Sequence, residues 1–404
     1  MSEIIVKIEK YDNTGQGIAF YNNKIMFIPN TYVGDILKVE IISETKKIIK
    51  VKVIDIVEKS NMRTNSFCEY KNCGGCNYLN ISYENELKIK KECFEKLFNI
   101  KNVNIVKSKN YLEYRNKIIL HFDKKIGLYE KESNKIINIK KCMLVKNDIN
   151  LIIQDLNNIK FNNIEKIIIK SGLENIVIIY SKNKIIEDLS NVNADNIVNI
   201  YNNKINIIKG NNYIQYKTNE YIFKSTLDSF FQTNEYQISN IINLIINSNV
   251  LNINSRLLEL YCGNGSLGIQ LSKYVEKVFG IEINNNSIED AKYNIKINNI
   301  KNADYICADL NTFENISNNF DIVLLDPPRN GISKNIMKYL LKNNFKNIIY
   351  ISCNPFTLKN DISFLSEKYS VDNITLVDMF PRTNHVESVC LLERNSWNSN
   401  LAII

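Results

Sequence analysis

Hydrophobic periodicity divides the chain into three stretches. Over residues 1–58, apolar side chains recur at every second position: Val6 and Ile8, Ile25 and Phe27, Val39 and Ile41, Val51 and Val53. That spacing belongs to half-buried strands, and turn residues such as Asn13-Thr14-Gly15-Gln16-Gly17 separate them. Five short strands in this stretch predict a small barrel, a shape often used to hold single-stranded nucleic acid. Residues 61–220 mix a group of cysteines, a helical stretch over Ser82–Leu97, and Ile/Lys/Asn-rich β segments whose order the pattern does not fix. From 221 onward strand and helix alternate. Ile238–Ile246 reads as helix, Arg256–Leu260 as a strand running through a glycine turn into a helix, 277–284 as strand and 287–300 as helix. Strand–loop units follow at 320–329 and 347–355, then strands at 371–381 and 387–395. Such alternation predicts a doubly wound α/β sheet with ligands at the carboxyl ends of its strands. The expected domains are therefore 1–60, 61–220 and 221–404.

Composition narrows the class. With 45% hydrophobic and 23% charged residues the chain is globular rather than disordered. No run approaches the ~18 apolar residues of a membrane span. The opening Met-Ser-Glu-Ile-Ile-Val-Lys lacks the apolar core of a signal peptide, so a cytoplasmic protein without membrane association is expected. In a reducing compartment its nine cysteines would serve metals or chemistry rather than disulfides. Asparagine is about one residue in six, which weakens arguments from Asn and Lys runs and strengthens clusters of rarer residues. Four of the five prolines fall between 327 and 381, inside short dense motifs. The formal charge of +8 is also uneven: +1 over 1–60, +9 over 61–220 and −2 over 221–404. A polyanionic partner is one explanation for the basic middle segment.

Three strand ends suggest a nucleoside site. Glu259-Leu260-Tyr261-Cys262-Gly263-Asn264-Gly265 closes one strand with a glycine turn that lets a ligand approach the backbone. Glu282 ends the next strand, where a carboxylate accepts ribose hydroxyls, and Asp309 ends the one after, within reach of an adenine amine. The E-x-x-x-G-x-G pattern without a phosphate-binding lysine suits S-adenosylmethionine better than a dinucleotide. Asp326-Pro327-Pro328-Arg329 resembles the loop of amino-methylating enzymes, yet Arg329 stands where those carry an aromatic. That argues against methylation of an exocyclic amine.

Two further motifs supply reactive groups. Cys353, in Ser352-Cys353-Asn354-Pro355, lies just past an apolar strand and is a candidate nucleophile. Asp378–Ser388 holds one of the two histidines, His385, beside Glu387. Uracil C5 is unreactive until a nucleophile adds at C6, and a base must afterwards remove the C5 proton. Cys353 and Glu387 are the two groups that reaction requires. Separately, Cys68, Cys73 and Cys76, with Cys142 further on, have metal-ligand spacing. Zinc and an iron–sulfur cluster both suit that spacing.

Taken together, the motifs resemble the RNA uracil-C5 methyltransferase family, which makes 5-methyluridine from S-adenosylmethionine. The resemblance rests on Phe231-Gln232-Thr233-Asn234, Tyr114-Arg115-Asn116-Lys117, Asp326-Pro327-Pro328-Arg329, Ser352-Cys353-Asn354-Pro355 and His385-Val386-Glu387. It implies an α/β, Rossmann-like methyltransferase domain, an N-terminal OB-like TRAM barrel and a mixed α+β central domain. It also implies that Gln232, Tyr261, Glu282, Asp309 and Asp326 contact or line the cofactor pocket, with Cys353 as nucleophile and Glu387 as proton acceptor. Cys68, Cys73, Cys76 and Cys142 fall where members hold a [4Fe–4S] cluster, which makes zinc the weaker choice. The implied partner is RNA, 23S rRNA in preference to tRNA, and the expected protein is a monomer. A non-catalytic RNA-binding protein on the same scaffold is the competing reading. DNA cytosine-C5 methylation is disfavoured, since no Pro-Cys nucleophile appears early in the fold.

Overall fold

The computed structural model describes residues 2–310 and 319–395. Six strands form the N-terminal unit, arranged as two three-stranded sheets. One contains Glu3–Lys7, Ile36–Glu44 and Ile49–Glu58, and the other Lys10–Tyr11, Gly17–Tyr21 and Lys24–Ile28. Val6, Ile8, Ala19, Met26, Ile28, Leu37 and Val39 are buried between them. The inward face of Lys24–Ile28 is the opposite of the one expected. Met26 and Ile28 are buried, while Phe27 is 41% exposed. Lys-Ile-Met-Phe-Ile has four apolar residues in a row, so a period of two fits either face. The pairing of Ile36–Glu44 with Ile49–Glu58 carries three register irregularities. They leave Val53 exposed rather than half-buried.

The middle of the chain forms a seven-stranded sheet. Its core includes Leu120, Ile167, Ile169, Val177 and Ile179, covered by Ile149, Ile152, Ile153 and Leu156 of the helix Asn147–Asn157. Sequence periodicity had not singled out that helix. The expected helix at 82–97 runs Tyr83–Phe98. Ser82 caps it by accepting a hydrogen bond from Asn85 N, and Asn99 closes it in the left-handed conformation. Its buried stripe contains Ile89, Cys93, Phe94 and Phe98, but also Glu86 and Lys90.

The C-terminal sheet has eight strands. Ala303–Cys307, Lys277–Glu282, Arg256–Leu260, Ile322–Leu325 and Asn347–Ser352 run parallel in that spatial order. Glu387–Arg394 then pairs antiparallel with Asn347–Ser352, Tyr369–Val377 with Glu387–Arg394, and Asn104–Val106 adds in parallel at the edge. The chain leaves Arg256–Leu260 in one direction and returns to its other side at Ile322–Leu325. This is the topological switch point where open α/β sheets take ligands. The edge strand comes from the middle of the chain, so the expected units interleave. The residue-220 boundary falls in the turn of a hairpin, Tyr213–Thr218 with Tyr221–Thr226.

Candidate active site

Cys353 and Glu387, 34 positions apart, are brought together by strand register. Asn347–Ser352 pairs antiparallel with Glu387–Arg394 through Tyr350↔Cys390, Ile351↔Val389 and Ser352↔Ser388. One step further along that register, Cys353 comes opposite Glu387. Ser388 Oγ donates to Ser352 O at 3.0 Å and fixes the end of the pair. Asn354 then caps the helix Pro355–Leu365 through Phe356 N, and its Nδ2 donates to Arg329 O at 2.9 Å. The Ser-Cys-Asn-Pro and Asp-Pro-Pro-Arg loops are thereby locked together. Gly331 closes the second loop at φ 75°, where an added Cβ would lie 2.5 Å from Asp361 Oδ2.

Burial governs the electrostatics. Glu387 is 2% exposed, and burial pushes its carboxyl well above the ordinary range, with Asp326 adding and Arg329 opposing. Burial raises Asp326 to about 7. The half-buried Cys353 thiol is pushed up to about 11 by burial, with smaller raising effects of Glu387 and Asp326 against the hydrogen-bonded Arg329 guanidinium. Arg329 Nη2 also lies 3.5 Å from His385 Nε2. Burial, then Arg329, Lys90 and Arg115, pull that imidazole down to about 4, so it is neutral at pH 7. A cavity of about 220 Å³ opens here, lined among others by Thr14, Gly15, Lys90, Arg329, Cys353 and His385.

A second group gathers at neighbouring strand ends. Leu260 pairs with Ile281 and Glu282 with Cys307, so Tyr261, Glu282 and Asp309 emerge side by side. Tyr261, Gly263 and Gly265 all have positive φ, at 62°, 53° and 77°. A Cβ on Gly265 would lie 2.9 Å from the Tyr305 ring, whereas one on Gly263 meets nothing within 4 Å. Gly263 therefore borders open space that a ligand can occupy. Glu282 accepts from Gly263 N at 3.3 Å and Asn284 N at 2.9 Å, which holds its carboxylate at that opening. Burial raises the Tyr261 hydroxyl, and Asp361, Asp309 and Glu282 add to the shift against a hydrogen bond from the Ser333 backbone. Glu259 is turned away from the opening. It accepts from Gly268 N at 3.2 Å and Tyr305 Oη at 3.3 Å and fixes the helix that follows. Gln232 lies in the linker before the helix Glu235–Asn247, its backbone carbonyl accepting from Asn116 Nδ2 at 3.0 Å.

Residues 82–395 match the family model described as tRNA (uracil-5-)-methyltransferase. The chain belongs to that family. An uncharacterised RNA methyltransferase of Clostridium acetobutylicum is 32% identical over 96% of both chains. One from Staphylococcus aureus is 30% identical, over 93% of this chain and 95% of that one. Among solved structures, the Pyrococcus abyssi tRNA (uracil-54, C5)-methyltransferase, bound to S-adenosyl-L-homocysteine, superposes with a TM-score of 0.81. It is 26% identical and covers 96% of this chain and all of its own. This chain is thus an S-adenosylmethionine-dependent RNA methyltransferase, and the open cradle at Gly263 fits that cofactor. No helix among the described residues is long and apolar enough to cross a membrane.

Against this family background, the four cysteines stand apart from the catalytic pocket. Cys68, Cys73, Cys76 and Cys142 all line one cavity of about 370 Å³, and each is a free thiol. Cys142 is fixed by a reciprocal pair with Asn150, N to Oδ1 at 2.8 Å and Nδ2 to O at 3.0 Å. Cys73 is held by a bridge to Glu130. The Arg115 cation lies within electrostatic reach of Cys142 and Cys76. Among the described residues, no three His, Cys, Asp or Glu side chains converge closely enough for a single metal ion.

Sequence reasoning did not place Arg329, Lys90 or the Thr14–Gly15 turn in the site. Arg329 was visible only as a member of the Asp-Pro-Pro-Arg motif, with no role of its own. Lys90 had a signal, because Glu86 and Lys90 interrupt an otherwise apolar helix stripe four residues apart. Nothing local to Thr14 or Gly15 points to the pocket.

Proposed function

We propose that this methyltransferase acts on C5 of a uridine in RNA through a covalent adduct between Cys353 and C6 of the base. The supporting observation is the strand register that sets Cys353 against Glu387. Arg329 favours the thiolate of Cys353, which adds to C6 while the C5=C6 electrons move onto O4 as an enolate. S-adenosylmethionine would supply an electrophilic methyl group, which C5 takes up as the S–CH3 bond breaks and S-adenosylhomocysteine leaves. The Glu387 carboxylate then removes the C5 proton, the C–H electrons restore the double bond, and the thiolate is released. Tyr261, Glu282, Asp309, Asp326 and Gln232 are assigned to the cofactor pocket. Flipping the base out of its stack brings it to Cys353. The Cys353→Ala variant should lose methylation of uridine RNA by about 10⁴-fold or more while still binding cofactor; substantial turnover would rule out the covalent route.

The favoured target is 23S rRNA, on the combination of the N-terminal β-rich unit, read as a TRAM barrel, with the four-cysteine cavity. A tRNA uridine is the second reading, favoured by the likeness to the tRNA uracil-54 enzyme. Nucleoside mapping of both RNAs from cells lacking the protein separates the two. The four cysteines are assigned to a [4Fe–4S] cluster in preference to zinc on the family resemblance; what supports it is that all four line one cavity beside the Arg115 cation. In the protein, Cys68, Cys73, Cys76 and Cys142 would hold the cluster. About four iron and four sulfide per anaerobically purified chain are expected; zinc without sulfide would overturn the assignment.

A further inference from the structure

The loop between the last two strands, which carries His385 and leads into Glu387, is built around one unusual residue. Arg382 is 5% exposed, and its backbone is left-handed at φ 68°. A bulky residue keeps that conformation only where its surroundings over-determine it. Its N–H donates to Glu86 Oε1 at 2.7 Å, and its Nη1 donates to Ile81 O at 3.0 Å. Its carbonyl accepts from both Asn77 N at 2.9 Å and Tyr78 N at 3.2 Å. The guanidinium lies 4.9 Å from the centre of the Phe67 ring and 4.8 Å from that of Tyr111.

Three of those partners flank the cysteine run. Phe67 immediately precedes Cys68, and Asn77 and Tyr78 immediately follow Cys76. Arg382 is therefore gripped from both ends of the three-cysteine run. Two further contacts run the same way. Asn384 N donates to Asn77 Oδ1 at 3.1 Å, and Tyr114 Oη joins Arg115, beside the cysteine cavity, to Pro381 O at 2.9 Å. Cys353 stands on another loop and has none of these ties.

We propose that Arg382 is a positioning residue that ties the cysteine run to the loop bearing Glu387, and so sets the proton-removal step rather than thiol attack. The proposal rests on Glu387 being the base assigned above. The tie from the cysteine run thus reaches the loop backbone at Arg382, five residues from Glu387. Loss of the tie should allow the adduct to form but slow its breakdown, in which Glu387 takes the C5 proton and Cys353 departs as thiolate.

Two measurements test this. In single turnover with a uridine RNA and S-adenosylmethionine, Arg382→Ala should slow product release on the order of 100-fold, the scale of a 1 Å misplacement. A denaturation-resistant protein–RNA adduct should accumulate, and Arg382→Lys should fall between that variant and the wild type. If adduct and product fall together, Arg382 is only structural and the proposal is overturned. The second measurement is hydrogen exchange of the full chain, which needs no turnover. Arg382→Ala should raise exchange in both 73–80 and 383–388. Phe67→Leu, on the cysteine side alone, should raise it in 383–388 as well. Exchange that rises only around the substituted residue overturns the tie. Coupled exchange in a protein whose wild type forms no adduct would refute the uridine chemistry alone.

Discussion

The proposed catalytic pair, Cys353 and Glu387, is defined by what burial does to each group. Both carboxyls facing the thiol are raised, Asp326 to about 7 and Glu387 well above its ordinary range, and the thiol itself is raised to about 11. A raised carboxyl is protonated up to a higher pH than usual, so the base is disabled as pH falls. A raised thiol becomes a nucleophile only as pH rises. Both effects have the same sign. The methylation rate should therefore climb with pH from about 6 to 9, without a limb from His385, which is already neutral above about 4. A rate profile with a descending limb near pH 6.5 would show that His385 titrates in the reaction.

At the scale of elements, the helix Tyr83–Phe98 is joined to the catalytic loop by buried charge. Lys90 Nζ donates to Asp378 Oδ1 at 2.6 Å, Glu86 Oε1 at 2.8 Å and Phe380 O at 3.2 Å. Tyr83 Oη adds a 2.6 Å bond to Asp378 Oδ2. Lys90 thus serves two buried carboxylates, and removing it leaves Asp378 without a cation and Glu86 with only Arg382, 3.5 Å away. Lys90→Met should cost about 3–5 kcal/mol in denaturant unfolding, far beyond a surface lysine; a loss under about 1 kcal/mol would mean that the carboxylates are neutral without it. The helix itself was legible in sequence to within one residue, because Ser82 and the apolar spacing are local signals. Other elements were less so. The helices Asn147–Asn157 and Lys334–Lys342 lie in Asn/Lys/Ile-rich stretches where codon-driven composition blurs the period. The wrong face of Lys24–Ile28 came from an unbroken apolar run.

For the whole molecule, charge and topology work together. The +9 excess of residues 61–220 belongs to a stretch that also supplies Lys90 to the catalytic pocket and an edge strand to the catalytic sheet. On the proposed reading, RNA held by the basic stretch would lie against the reaction site. KM for RNA should rise steeply with added salt, with a log–log slope of about 0.7 per phosphate neutralised, while KM for S-adenosylmethionine stays flat. Equal salt responses of the two would place the basic excess outside the RNA path.

The sequence alone determined the chemistry available: Cys353 past one strand, Glu387 opening another, a glycine turn with carboxylates at the next strand ends, and four cysteines at ligand spacing. These are short-range facts, set by residue type and by local rules for strands, caps and turns. Only the tertiary structure decided what meets what. The antiparallel register facing Cys353 with Glu387, the strand lent by Asn104–Val106, the Thr14–Gly15 turn in the pocket and the grip on Arg382 all join residues tens to hundreds of positions apart. Such pairings depend on how whole faces bury against one another, and no window of local sequence contains that information.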